Sequence, residues 1–329
     1  MPTHTVLIFD DRFESYDAER QILSEVDAEV IVLGQPVVES DPQTIARADA
    51  VLVNLLPMDA SNIAALGSRC RVISRYGVGM DNVDISAATR AGIWCANVAG
   101  YASEDVSDHA LALLMSCVRM VPQRDRELRE GQWNSANRVV AHRTLGKTLG
   151  LIGFGGIGRA LCHKVSGFGF RSVLVYDPYV DEAVIAAAGA RPVSLQSLFA
   201  ESDYVSVHAP LSDETRGMVG HEQFAAMKPT AILVNTARGP LVNEQALAHA
   251  LSSGQIAAAG IDVFASEPLE EDSPLRKLDN VVLTDHVGWY TEESIVELKS
   301  GCAANAREVL KGNPPVHPVN VISPPQPTR

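Results

Sequence analysis

At 329 residues, with 46% apolar and 20% charged residues, the chain has the length for two domains and a large core. Its net charge of -13, without any cluster of lysine or arginine, excludes a nucleic-acid partner, because phosphate neutralisation supplies most of that affinity. No apolar run is long enough to cross a bilayer, so no membrane partner is expected. Five cysteines (Cys70, Cys95, Cys117, Cys162, Cys302), odd in number and without CxxC, argue against a disulfide framework or a metal site and make a reducing cytoplasm the default.

The start, MPTHTVLIFDD, lacks a basic region followed by an apolar stretch and reads as a first strand. Further short apolar runs at Glu29–Leu33, Ala50–Val53, Val72–Ser74 and Ile93–Ala96, separated by segments that suit crossover helices, predict a parallel, helix-covered sheet. At the end of the fourth run stands Arg75-Tyr76-Gly77-Val78-Gly79. It is either a plain strand-to-helix turn or a loop whose backbone N–H groups hold a carboxylate beside the Arg75 guanidinium. A long helix is then expected, capped by Ser103 and running to about Pro122 or resuming beyond it. Its broad apolar face serves the core, a domain junction or a partner subunit, and His109 on it reads as a satisfied polar residue.

Next, Leu149–Ile152 predicts a buried strand that runs into Gly153-Phe154-Gly155-Gly156-Ile157-Gly158 and a helix. In that strand-turn-helix context GxGxxG is a dinucleotide fingerprint: the glycines give the tight turn, the approach of a pyrophosphate and close helix packing. The helix N-terminus offers unpaired N–H groups to phosphate. Nineteen residues after Gly158 a second strand ends at Asp177, a carboxylate placed to accept both hydroxyls of an adenosine ribose. Further buried strands at Tyr204–Val207, Ala231–Val234, Gly260–Val263 and Val281–Leu283 carry polar residues past their carboxyl ends, where ligands of open α/β sheets bind. Those ends bring His208-Ala209-Pro210, Thr236-Ala237-Arg238, Asp262 with Glu267, and His286 onto one rim. A helix at Glu292–Leu310 is expected to return the chain to the first domain, before an extended and mobile tail with six prolines, Pro314 to Arg329.

The runs LIGFGGIGRA, YDPY, VSVHAPL, VNTARGPLV, GIDVF with EPL, and TDHVGW resemble, in order and spacing, the D-isomer-specific 2-hydroxyacid dehydrogenase family over roughly residues 5 to 320. The resemblance implies two doubly wound α/β parallel-sheet domains with the active site in the cleft. They are a flavodoxin-like substrate domain (residues 1–100 and 290–329) and a Rossmann NAD-binding domain (101–289). It puts the family's catalytic arginine, glutamate and histidine on Arg238, Glu267 and His286. It also puts the nicotinamide-side aspartate on Asp262, the adenosine-side acid on Asp177, and the substrate-carboxylate loop on Arg75 to Gly79. His208 then serves the cofactor, and a homodimer follows as the family expectation. WYTEESIVEL is closest to the C-terminal binding protein branch, whose corresponding tryptophan lines the substrate site. Trp289 is therefore either a pocket wall or hinge core, and the pattern departs at Val287-Gly288, where the family often has two small residues.

The chemistry asks for the same residue types. Reducing a 2-oxo acid delivers hydride to C2 while the carbonyl oxygen takes a proton, so an acid that titrates near neutrality is required, and histidine suits it. A carboxylate such as Glu267 beside His286 would orient it, while Arg238 would grip the substrate carboxylate. The expected function is an NAD-dependent oxidoreductase of a small 2-hydroxy or 2-oxo acid. The alternative is an NAD(H)-binding, redox-sensing interaction protein on the same fold.

Overall fold

The computed structural model describes residues 2–10, 12–34, 37, 40–133 and 140–322. They form two compact units, Met1–Tyr101 with Thr291–Arg329, and Ala102–Tyr290.

The first unit holds β1 (His4–Phe9), β2 (Ala28–Leu33), β3 (Ala50–Val53), β4 (Val72–Arg75) and β5 (Trp94–Ala96) in the order β2-β1-β3-β4-β5. All pairs are parallel, with Val6 opposite Val30 on one side and Ala50 on the other. Every residue of β3 and β4 is buried, as befits parallel strands covered on both faces. The returning helix Glu292–Leu310 packs on Asp17–Ser24, and its Cys302 carbonyl accepts the Ser74 hydroxyl at 3.0 Å.

The proline-containing tail is docked through Asn320, against the expectation of a mobile segment. Val319 N–H donates to the Cys95 carbonyl at 2.8 Å, and the Asn320 carboxamide takes the Cys95 N–H at 2.7 Å. The same carboxamide donates to the Ile93 carbonyl at 3.0 Å, so the exposed edge of β5 is covered. Residues 323–329 of that expectation lie outside the described residues.

The second unit contains β6 (Thr148–Ile152), β7 (Ser172–Tyr176), β8 (Arg191–Pro192), β9 (Tyr204–Val207), β10 (Ile232–Asn235), β11 (Ala258–Ile261) and β12 (Val281–Leu283). They pair in parallel in the order β12-β11-β10-β9-β6-β7-β8, the doubly wound arrangement whose order reverses between β6 and β9. The two-residue edge strand β8 has no counterpart among the predicted strands, because it is short and ends in proline.

Two local expectations change. The helix Ser103–Arg119 is capped at Ala102 without a side-chain bond, so Ser103 is its first helical residue. Met120 then takes a left-handed conformation (φ 53°), and a separate helix, Val121–Arg129, starts with Pro122 in its first turn, where the missing N–H costs nothing.

Candidate active site

The carboxyl ends of the seven parallel strands place the predicted residues of the second unit on one rim. Past β6, Gly153 has φ 94°, and a Cβ there would lie 2.7 Å from the Ala209 nitrogen, so the β6 and β9 loops close up only around glycine. Among the described residues a Cβ on Gly155 would meet nothing within 4 Å, which leaves an open cradle at the N-terminus of the helix Gly156–Lys164, itself without a side-chain cap. Asp177 braces this loop: its carboxylate accepts Phe154 N–H at 2.7 Å and Tyr179 N–H at 2.9 Å. Two buried polar atoms at the rim, His208 Nδ1 and Thr236 Oγ1, have no hydrogen-bond partner among the described residues. Buried polar groups need partners, and a dinucleotide supplies them. The open cradle and these two atoms together fit such a group.

Past β10, the buried Asn235 shapes the loop, taking Ala237 N–H at 3.1 Å and donating to the Arg238 carbonyl at 2.9 Å. Gly239 lies so close to the Phe264 carbonyl carbon that any Cβ would overlap it, which draws the β10 and β11 loops together. Arg238 Nη1 donates to the Ala237 carbonyl at 2.7 Å. Glu267, in the β11 loop, accepts Phe264 N–H at 3.0 Å through one oxygen and meets His286 Nδ1 at 2.7 Å through the other. Burial pushes the Glu267 carboxyl up. The His286 bond, the Phe264 N–H and the nearby His286 and Arg238 charges outweigh burial and hold it below its ordinary value. His286 itself sits at φ 58°, an uncommon conformation for a residue with a Cβ.

Asp262 is the first residue beyond β11 and is 1% exposed. Burial raises its carboxyl, but donors from His109, Thr284, Gly288 and Val287 bring it down to about 2. Its oxygens are therefore committed to the protein's own groups. His208, half-buried at the end of β9, contacts Ser206 Oγ through Nε2 at 2.9 Å, and burial draws its imidazole down to about 4. Trp289 is half-buried and edge-on to Tyr290, with ring centroids 5.9 Å apart.

In the first unit, the Arg75 to Gly79 loop leaves β4. Arg75 is buried, its Nε donating to the Asn54 carbonyl at 3.1 Å. The Tyr76 side chain turns into the core, its hydroxyl donating to Glu19 at 3.0 Å, so this residue offers a ligand only backbone. Val78 is exposed, and Asn97 Nδ2 donates to its carbonyl at 2.7 Å. Sequence reasoning misses Asp10 and Thr284, and reads His109 as an ordinary polar residue. Asp10 accepts the N–H groups of Asn54, Leu55 and Leu56 at 2.8, 2.9 and 2.9 Å and so fixes the loop that receives Arg75. Only an acid directly after a strand hints at it. Among the described residues no cluster suits a metal ion, and no helix is long and apolar enough to cross a membrane.

The family profile for D-isomer specific 2-hydroxyacid dehydrogenase, NAD binding domain, matches residues 111–288. A glyoxylate reductase of Korarchaeum cryptofilum is 42% identical over 82% of this chain and 82% of its own length. A D-3-phosphoglycerate dehydrogenase of Mycobacterium tuberculosis is 39% identical over 84% of this chain, which spans only 52% of that longer protein. Among solved structures, the holo form of Rhodotorula graminis D-mandelate dehydrogenase superposes with a TM-score of 0.88 at 31% identity, over 99% of this chain and all of the other.

Proposed function

Because the protein belongs to the D-isomer specific 2-hydroxyacid dehydrogenase family and binds NAD, we propose that it reduces a small 2-oxo acid to the D-2-hydroxy acid, or runs the reverse reaction. When bound, NADH supplies the hydride that reaches C2. His286 gives its proton to the carbonyl oxygen, which becomes the hydroxyl. Glu267 orients the imidazole through Nδ1, leaving Nε2 for the substrate. Arg238 grips the substrate carboxylate and polarises the carbonyl, as a guanidinium does best. For the first unit, the same reading assigns carboxylate binding to the Arg75–Gly79 loop. The observation that carries this reading is the 2.7 Å His286–Glu267 contact on the rim that also presents Arg238 and the glycine cradle.

NADH is the expected form over NADPH. Asp177 repels a 2′-phosphate, and no basic residue follows it in Pro178-Tyr179-Val180 to pair with one. Five buried free cysteines suit a reducing compartment, and the exposed Val121 and Leu128 on the helix Val121–Arg129 suit a homodimer. The interaction-protein reading draws no support from the relatives above, which carry reductase or dehydrogenase names. The test is steady-state turnover with NADH and NADPH against glyoxylate, hydroxypyruvate, pyruvate and bulkier 2-oxo acids. Turnover of at least one acid, with NADH preferred by about tenfold or more, is expected. No turnover with any of them would sink the proposal.

A further inference from the structure

The turn that carries His286 is held from behind by a set of contacts centred on Asp262. The Asp262 carbonyl accepts His286 N–H at 2.8 Å, and its carboxylate accepts Val287 N–H and Gly288 N–H, each at 3.0 Å. Three consecutive N–H groups of the turn thus end on one buried residue. Gly288 allows this closeness, since a Cβ there would stand 2.9 Å from Asp262 Oδ2 and 3.2 Å from the His109 ring. Behind the carboxylate lies His109, on the helix Ser103–Arg119. Its Nε2 is 3.0 Å from Thr284 Oγ1 and 3.3 Å from Asp262 Oδ1. The single hydroxyl proton of Thr284 is spent on Asp262, at 2.6 Å, so Thr284 faces His109 as an acceptor. That assigns the Nε2 proton to His109, which donates to both oxygens.

We propose that His109 is a positioning residue for the reaction: through Asp262 and Thr284 it locks the 286–288 turn and so holds His286 in its left-handed conformation against Glu267. The helix face that reads as plain core packing therefore ends in a polar brace for the acid. A left-handed residue with a Cβ is retained only where its surroundings over-determine it. His109, Thr284 and the Val287 and Gly288 N–H groups, all ending on one carboxylate, supply that over-determination together with the His286 N–H on the Asp262 carbonyl. Its kinetic consequence rests on the reading of His286 as proton donor, whereas the brace itself does not.

Two variants separate the contributions. His109→Phe keeps the ring volume and removes the Nε2 donor; His109→Gln returns an N–H near the same place. With glyoxylate and NADH, His109→Phe is expected to lower kcat about tenfold to 10²-fold, while KM and NADH affinity stay within about threefold. His109→Gln should recover most of the loss. In NADH-free protein, the Val287 and Gly288 amides should exchange with solvent faster in His109→Phe and return toward normal in His109→Gln. Unchanged kcat in the Phe variant, no advantage of Gln over Phe, or unaltered exchange of both amides would each overturn the inference. Near-normal turnover of His286→Ala would instead remove the acid/base reading, and amide exchange would then decide the brace by itself.

Discussion

Each unit uses a buried aspartate just past a strand to fix a loop, and the two differ in what answers the carboxylate. In the five-stranded unit, Asp10 follows β1 at φ 68° and is met by three backbone N–H groups of residues 54–56, a closed local nest. In the seven-stranded unit, Asp262 is met by two backbone N–H groups and by side chains from a helix and from the end of β12. A nest of backbone groups sets a shape and nothing else. A carboxylate shared with His109 ties the position of His286 to a helix far along the chain, so the first aspartate shapes a loop while the second positions the residue proposed as the acid.

The largest expected effect separates those two duties. His286→Ala should lower kcat by roughly 10² to 10⁴ with NADH affinity nearly intact, as read by steady-state kinetics and fluorescence titration. An equal loss of NADH affinity would count against the division. Asp10→Ala should do the reverse, costing about 3 kcal/mol of stability by leaving three N–H groups without their anion, with NADH affinity unchanged. Urea unfolding measures the first and titration the second; a loss of NADH affinity as large as that of stability would contradict a purely local role for Asp10.

These two residues also mark how far the sequence can be read. Glycine loop, Asp177, Arg238, Glu267 and His286 stand in runs whose spacing carries their meaning, and the parallel sheets follow from apolar runs bounded by polar residues. Contacts such as His109 with Thr284, 175 positions apart, exist only once helix and sheet have packed, and no local pattern announces them. Caps and edges fail for a related reason. Ser103 is a good cap by type, yet the helix begins a residue earlier, and β8 is too short and proline-bearing to rise above a loop. Proline content makes the tail read as mobile, because it says nothing of the docking of Asn320 on β5.

Acid titration gives the next smaller effect. Both His208 and Asp262 have folded values depressed below their ordinary ones, so each contributes stability at higher pH that is lost as pH falls. For His208 the loss runs from pH 6.5 toward about 4, as the unfolded chain takes up a proton that the folded chain resists. For Asp262 it runs from 3.8 toward about 2 and amounts to about 2 kcal/mol. Urea midpoints measured across this range should fall in both windows, and His208→Gln should flatten only the upper one. A midpoint independent of pH between 6.5 and 4 in the unaltered protein would contradict a neutral His208.

The smallest effect concerns Trp289, which is half-buried and which we propose as a pocket wall. Trp289→Ala should lower kcat/KM for bulky apolar 2-oxo acids by on the order of 1 kcal/mol and leave glyoxylate turnover little changed. A parallel fall for both substrates would assign the ring to packing.

Hydride transfer between nicotinamide and C2, with His286 on the rim of the seven-stranded sheet as the proposed proton donor, underlies the kinetic expectations. Deuterium followed from NADH labelled at the transferring C4 position, during reduction of a prochiral 2-oxo acid, reads that transfer without intermediaries. The label is expected at C2 of a D-2-hydroxy acid, in step with NADH consumed. Tight NADH binding with no label transferred to any 2-oxo acid would contradict the proposed chemistry and favour a protein that senses the cofactor without using it.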